Sequence, residues 1–325
     1  MTTLLSLTQA IFGASIPVLC YHQVRPDSGM TPEKFGSHLD LIRAMGFKTI
    51  SLAKLHGIVT GAEKNATPSI VITFDDCTLD NWIYAVPELL RRDMQGVFFA
   101  ITNFLRPGQE RPRADQGSRT CVPRFDEIMR QALQGNAEWF MNHSEVRLLV
   151  HNLGMEVYSH SAAHQACFTS SKPVGILGDA RHWSHQFLCD ANAAAHTPIY
   201  PVGSAYAHAG FGLDWTGQPL TLNSTDQRIA FCAQDFSNSK AKLEQILDQA
   251  CPFLCLPWGH YDDITLKAAV QANYKMVLTL ERTSVQSQSA PLQIGRLAVK
   301  DNKSKKWLAM KTLARSISAQ RPLFT

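Results

Sequence analysis

A chain of 325 residues, 45% apolar and 18% charged, can build a large core and is not a disordered polymer. Its formal charge of +4 is too small and too dispersed for a nucleic-acid binder, and no apolar run is long enough to cross a bilayer. The eight cysteines, at positions 20, 77, 121, 167, 189, 232, 251 and 255, form no Cys-x-x-Cys pair and read as reduced thiols, several of them, such as Cys20 and Cys255, in apolar strands.

Residues 1–16 are fairly apolar but carry no Lys or Arg ahead of the apolar stretch, so the charged start of a signal peptide is missing and a soluble, cytoplasmic protein is expected. A strand follows at 16–24. Thr31 then caps a helix with Pro32 at its first position, which Gly46 ends. A short strand at 47–50 leads to a second helix capped by Ser51. Residues 70–74 are β-branched and aromatic without polar alternation, as in a strand buried on both faces. A helix at 81–92, a strand at 96–101, a loop rich in Pro, Gly and Arg at 106–123, helices at 125–133 and 144–152 and a strand at 154–158 come next.

From 173 to 236 the pattern weakens, interrupted by Pro198, Pro201, Gly203, Gly210, Gly212, Gly217 and Pro219; this stretch reads as an insertion that carries small elements and shapes a site. Regular alternation resumes with a helix at 240–250, strands at 253–256, 275–279 and 292–299, and a helix at 264–273. A terminal helix at 303–325 follows, its basic run from Lys300 to Lys311 giving a solvated face or a membrane-surface contact. Such alternation implies an α/β fold of parallel strands, in one domain spanning 1–325.

Two constellations carry chemistry. Asp75 and Asp76 end the buried strand, where two adjacent carboxylates need a compensating cation. His160 and His164 follow another strand, spaced so that a helical turn would put both imidazoles on one side. One carboxylate and the two histidines make three ligands for a divalent metal, most simply Zn2+ with an open position. The other carboxylate is left to act on a water.

Thr73-Phe74-Asp75-Asp76, His160-Ser161-Ala162-Ala163-His164 and Leu256-Pro257-Trp258-Gly259 together resemble the three motifs of the polysaccharide deacetylases, carbohydrate esterase family 4. Leu19-Cys20-Tyr21-His22 is similar to the branch that includes biofilm poly-N-acetylglucosamine deacetylases. The resemblance covers about 16–170 and 237–300. It implies a distorted (β/α) barrel of about seven parallel strands, with Asp76, His160 and His164 binding the metal and Asp75 acting as general base. It also implies an acetylated aminosugar as substrate, with Tyr21, Trp258 and Gly259 in the binding pocket and a backbone N–H near Trp258-Gly259 for the oxyanion.

Three positions depart from the family pattern. Cys77 replaces the glycine after Asp-Asp, Cys255 replaces the arginine that steadies the base, and Ile294-Gly295-Arg296-Leu297 lacks the histidine of a Leu-x-His. Arg296 is therefore expected to tether Asp75. His22, with His260 second, is expected to supply the proton to the leaving amine. N-deacetylation of a surface-glycan or carrier-linked intermediate is the function this implies. O-acetyl ester hydrolysis, non-sugar amide hydrolysis and a catalytically silent glycan-binding barrel are its rivals.

Overall fold

The computed structural model describes residues 14–180, 182–189, 193–210 and 223–317. The N-terminal apolar stretch, part of the insertion and the last eight residues of the expected terminal helix lie outside the described residues.

The core is a sheet of parallel strands. β1 (Val18–Tyr21), β2 (Lys48–Thr49), β3 (Ser69–Phe74), β4 (Val97–Ala100) and β5 (Glu156–Ser159) come from the first half of the chain. Within the insertion, two small antiparallel ladders form. β6 (Ala166–Phe168) pairs with β9 (Val202–Ser204), and β7 (Gly175–Ile176) pairs with β8 (Pro198–Ile199). The main sheet is completed by β10 (Phe253–Cys255), β11 (Met276–Leu278) and β12 (Leu297–Ala298). Seven strands run in the order β11-β10-β5-β4-β3-β1-β12, with β2 added at β3. A parallel bridge between Leu278 and Ile294 brings the two edges together, so the sheet curls as a distorted barrel.

All six residues of β3 are buried, as expected for an apolar strand without alternation. Helices α1 (Pro32–Ala44), α2 (Leu52–Val59) and α3 (Val86–Leu90) cover the first half of the sheet. α4 (Phe125–Leu133) and α5 (His143–His151) follow the loop at 106–123. α6 (Ser184–Leu188) belongs to the insertion, and α7 (Thr225–Leu247), α8 (Asp263–Gln271) and α9 (Lys305–Ser316) complete the set. The caps read from sequence are made: Thr31 Oγ1 accepts from the Lys34 N–H at 3.2 Å, and Ser51 Oγ from the Lys54 N–H at 3.0 Å. Each such cap is worth about 0.5–2 kcal/mol.

Three of the regular elements differ from the sequence reading. The helix expected at 240–250 begins at Thr225, so residues 225–236 belong to a barrel helix and not to the insertion. The helix expected at 81–92 opens with a π-helical stretch, Asn81–Ala85. The strand expected at 292–299 narrows to β12, preceded by a 3-10 turn at Pro291–Gln293. Among the described residues no helix is long and apolar enough to cross a membrane. α9 buries Leu308, Thr312 and Ser316 and leaves Met310 and Leu313 exposed.

Candidate active site

The C-terminal ends of β1, β3, β5 and β10 converge on one edge of the barrel, the edge where parallel α/β folds hold their ligands. Asp75 and Asp76 follow β3. Asp76 and Cys77 both take left-handed backbone, at φ 76° and 52°. That turn explains why a glycine suits position 77, and here a fully buried cysteine adopts it. The same turn gives the adjacent carboxylates different partners.

Asp75 meets Arg296. Nη1 donates to Oδ1 at 2.6 Å and Nη2 to Oδ2 at 2.8 Å, and both side chains are buried. The guanidinium is itself fixed, since Nη1 donates to Thr73 Oγ1, Nε donates to the Thr279 carbonyl, and the ring of Phe99 lies 5.7 Å away. The thiols of Cys20 and Cys255 complete the surround, 3.5 Å from Oδ2 and 3.6 Å from Oδ1. Burial works against the charge on Asp75, but the Arg296 guanidinium outweighs it and holds the carboxyl well below the usual carboxylate range.

Asp76 has no such partner. Its Oδ1 is buried without a hydrogen bond among the described residues, 3.5 Å from His160 Nε2 and 3.8 Å from His164 Nε2. Burial raises its carboxyl to about 7, and the charge on Asp75 adds to the effect. Burial also lowers His160 to about 4 and holds His164 well below the usual histidine range, so both imidazoles are neutral with lone pairs to offer. His160 Nδ1 lies 2.9 Å from the Cys255 carbonyl, which leaves Nε2 as the free nitrogen. Two atoms bound to one zinc at about 2.0–2.1 Å in a tetrahedral site are separated by about 3.3 Å, close to these spacings.

The donor set, its neutral imidazoles and the orphaned Asp76 oxygen therefore fit a divalent cation. Two other clusters, Cys20–His22–Asp75 and Asp75–His160–Cys255, come within similar reach. Both depend on Asp75, which Arg296 occupies, and on thiols that burial keeps protonated.

The segment from His160 to His164 is a loop and not the helical turn expected from its spacing. Ser161 and His164 are left-handed, at φ 69° and 51°, and this loop turns both imidazoles toward Asp76. Residues the motifs did not mark hold it. Asp235 of α7 accepts the Ala162 N–H at 2.8 Å and the Tyr206 hydroxyl at 3.0 Å, while Tyr206 Oη accepts from the Gln165 N–H. Ser161 Oγ accepts the His164 N–H at 2.9 Å.

Trp258, at φ 56°, sets its ring 4.9 Å from His164. Trp183 of the insertion lies nearly parallel to it, 6.3 Å away at 8°, and His182 sits beside both. Gly259 has φ 67°, and a Cβ there would come within 2.5 Å of the Leu280 N, so the position requires glycine. Its N–H is donated to the Leu256 carbonyl, which removes it as an oxyanion donor.

The Tyr21 side chain points away from Asp75, although the residue borders the recess beside His22. Strand alternation turns Cys20 toward Asp75 and Tyr21 toward the helices, where its hydroxyl meets His38 Nδ1 at 3.2 Å and its ring packs on Phe35 and Phe74. Of the two candidate proton donors, His22 is the one near Asp75, with Nε2 4.0 Å from Oδ2. His260 is exposed and faces His208, 5.9 Å away.

The chain belongs to the polysaccharide deacetylase family, which matches residues 62–277. The YxkH protein of Bacillus subtilis (strain 168), which carries polysaccharide deacetylase in its name, is 29% identical over 90 residues, 27% of this chain and 32% of that protein. The matched stretch thus covers about a third of that relative. Among solved structures, a de-N-acetylase from Aggregatibacter actinomycetemcomitans superposes with a TM-score of 0.65 at 16% identity, covering 91% of this chain and 99% of that one. The BpsB deacetylase domain from Bordetella bronchiseptica gives 0.61 at 18%, over 88% and 96% of the two chains. IcaB from Ammonifex degensii gives 0.56 at 19%, over 93% and 98%. At such identities the likeness establishes the barrel fold.

Proposed function

We propose, with that family membership as the premise, that the chain removes the N-acetyl group from an aminosugar of a surface-glycan or carrier-linked intermediate. In this reading a divalent cation is held by Asp76, His160 and His164. The observation that carries it is the division between two adjacent buried carboxylates. One is uncompensated and faces two neutral imidazoles, and the other is locked in its charged form by arginine.

When bound, zinc or a similar cation polarises the amide carbonyl and lowers the pKa of the attacking water. Asp75 accepts the proton that water loses on attack, and Arg296 keeps its carboxylate oriented. With the Gly259 N–H engaged by the Leu256 carbonyl, this reading assigns the Trp258 N–H to the developing oxyanion. His22 passes a proton to the departing amine. Trp258 and Trp183 wall the face of the sugar above His164.

The test is release of acetate and free amine from zinc-loaded protein given N-acetylglucosamine oligomers, beside O-acetylated sugars. Equal amounts of acetate and amine, lost on chelation and regained with zinc, are expected. Acetate from the O-acetyl sugars alone would move the assignment to an esterase, and indifference to chelation would remove the metal from it.

A further inference from the structure

Beside His22 the barrel edge opens into a recess of about 580 Å³. Its walls come from the loop after β1, the start of α4 and the turn after β12. It joins the reacting centre at two points: His22 approaches Asp75, and the ring of Phe125 stands edge-on to His164 with centroids 6.0 Å apart.

The charges on its walls do not cancel. Arg25 is buried, donates to the Val122 carbonyl at 2.6 Å and pairs with Asp27 at 3.7 Å, so those two are accounted for. Asp301 packs its side chain over Gly29, where a Cβ would meet its Oδ2 at 2.8 Å. Arg124, at the start of α4, and Lys300, in the turn after β12, both line the recess and are exposed, and neither has a carboxylate within 4.0 Å among the described residues. Two free cations against the single charge of Asp301 leave the recess positive, before any proton on His22 is counted. A volume of this size fits a small polar ligand, and Phe125 offers an apolar face on which a sugar ring can rest.

We propose that this recess seats an anionic group, a phosphate or a carboxylate, carried by the acetylated aminosugar, with Arg124 and Lys300 as the residues that select it. The assignment deepens the deacetylase reading and rests on it for the identity of the sugar.

The test measures binding of three probes to the zinc-loaded protein by calorimetry: N-acetylglucosamine 1-phosphate, N-acetylmuramic acid and N-acetylglucosamine. The same measurement is made on the double variant Arg124→Gln/Lys300→Gln, with its thermal melt as a check on folding. Parent protein is expected to bind at least one anionic probe about tenfold more tightly than the neutral sugar, an advantage that shrinks as salt rises. The double variant should lose that advantage. Preference for the phosphate or for the carboxylate then identifies which anion the recess takes. Equal binding of all three probes by the parent, or an advantage that survives in the double variant, overturns the proposal. The second result would place the anion at the metal. Turnover of the same probes is read separately: selective binding without acetate release from any of them refutes the deacetylase reading and leaves the recess assigned.

Discussion

Arg296 and Asp75 form a two-point ion pair, at 2.6 and 2.8 Å, across 221 positions of sequence and wholly inside the barrel. An arginine from the approach to β12 thus reaches the carboxylate beside which the family's usual tether position holds Cys255, whose thiol lies 3.6 Å from the same carboxylate. Burying a charge is tolerated only with such a partner, so removing the partner is costly. Arg296→Met should lower the stability of the zinc-loaded protein by about 3–5 kcal/mol. Arg296→Lys should recover only part of it, because an ammonium cannot reproduce the planar fork. Urea unfolding measures both, and an unchanged midpoint in Arg296→Met would show that the pair contributes nothing net.

The twin carboxylates should separate by function. Asp75→Asn is expected to retain zinc and lose about 10²–10⁴ in turnover, since an amide cannot accept a proton from water. Asp76→Asn should instead lose zinc during dialysis, because its Oδ1 is the oxygen facing both imidazoles. Elemental analysis beside acetate release tells them apart. Equal loss of metal in both variants would refute this division.

Asp235 touches neither imidazole, yet its carboxylate receives the Ala162 N–H between them and the Tyr206 hydroxyl. Outer partners of metal ligands commonly change affinity by about 10–100-fold. Asp235→Ala should weaken zinc binding by that order, and Asp235→Asn, which can still accept one of the two hydrogen bonds, should weaken it less. Competition with a chromogenic chelator reads the difference, and parental affinity in Asp235→Ala would make the contact purely structural.

The legible parts of this molecule are those with a local signature. β3 shows itself as an unbroken apolar run, Thr31 and Ser51 mark their helices, and the Asp-Asp and His-x-x-x-His pairs announce a cation site. What was not legible depends on distance or on polar cores. The Arg296–Asp75 tether carries no local spacing of its own and is legible only through the departure at Cys255, which leaves the base in need of another arginine. The first half of α7 has a weak helical signature because its buried face mixes Arg228, Cys232 and Asp235 with a single large apolar residue, Phe236. The loop form of 160–164 needs two left-handed residues, neither of them glycine. The alternation that puts Cys20 at Asp75 turns the Tyr21 hydroxyl toward His38 of α1, while the residue itself borders the recess beside His22.

His22 is held where a proton donor is needed. Asn81 Nδ2 donates to its carbonyl at 2.8 Å, and Asp80 Oδ2 accepts the Val24 N–H at 2.7 Å, so the loop leaving β1 is pinned on both sides of the histidine. Its imidazole stays 53% exposed, with Nε2 4.0 Å from Asp75, and so remains open both to solvent protons and to a substrate over the base. His22→Ala should retain zinc and lose about 10²–10⁴ in turnover of an N-acetyl amide. An activated acetate ester, whose leaving group departs without a proton, should be slowed far less. Measuring both substrates on one preparation isolates the proton transfer from any effect on binding of the acyl group. An equal loss on amide and ester would make His22 a wall of the recess and nothing more, and would leave His260 as the next histidine to replace.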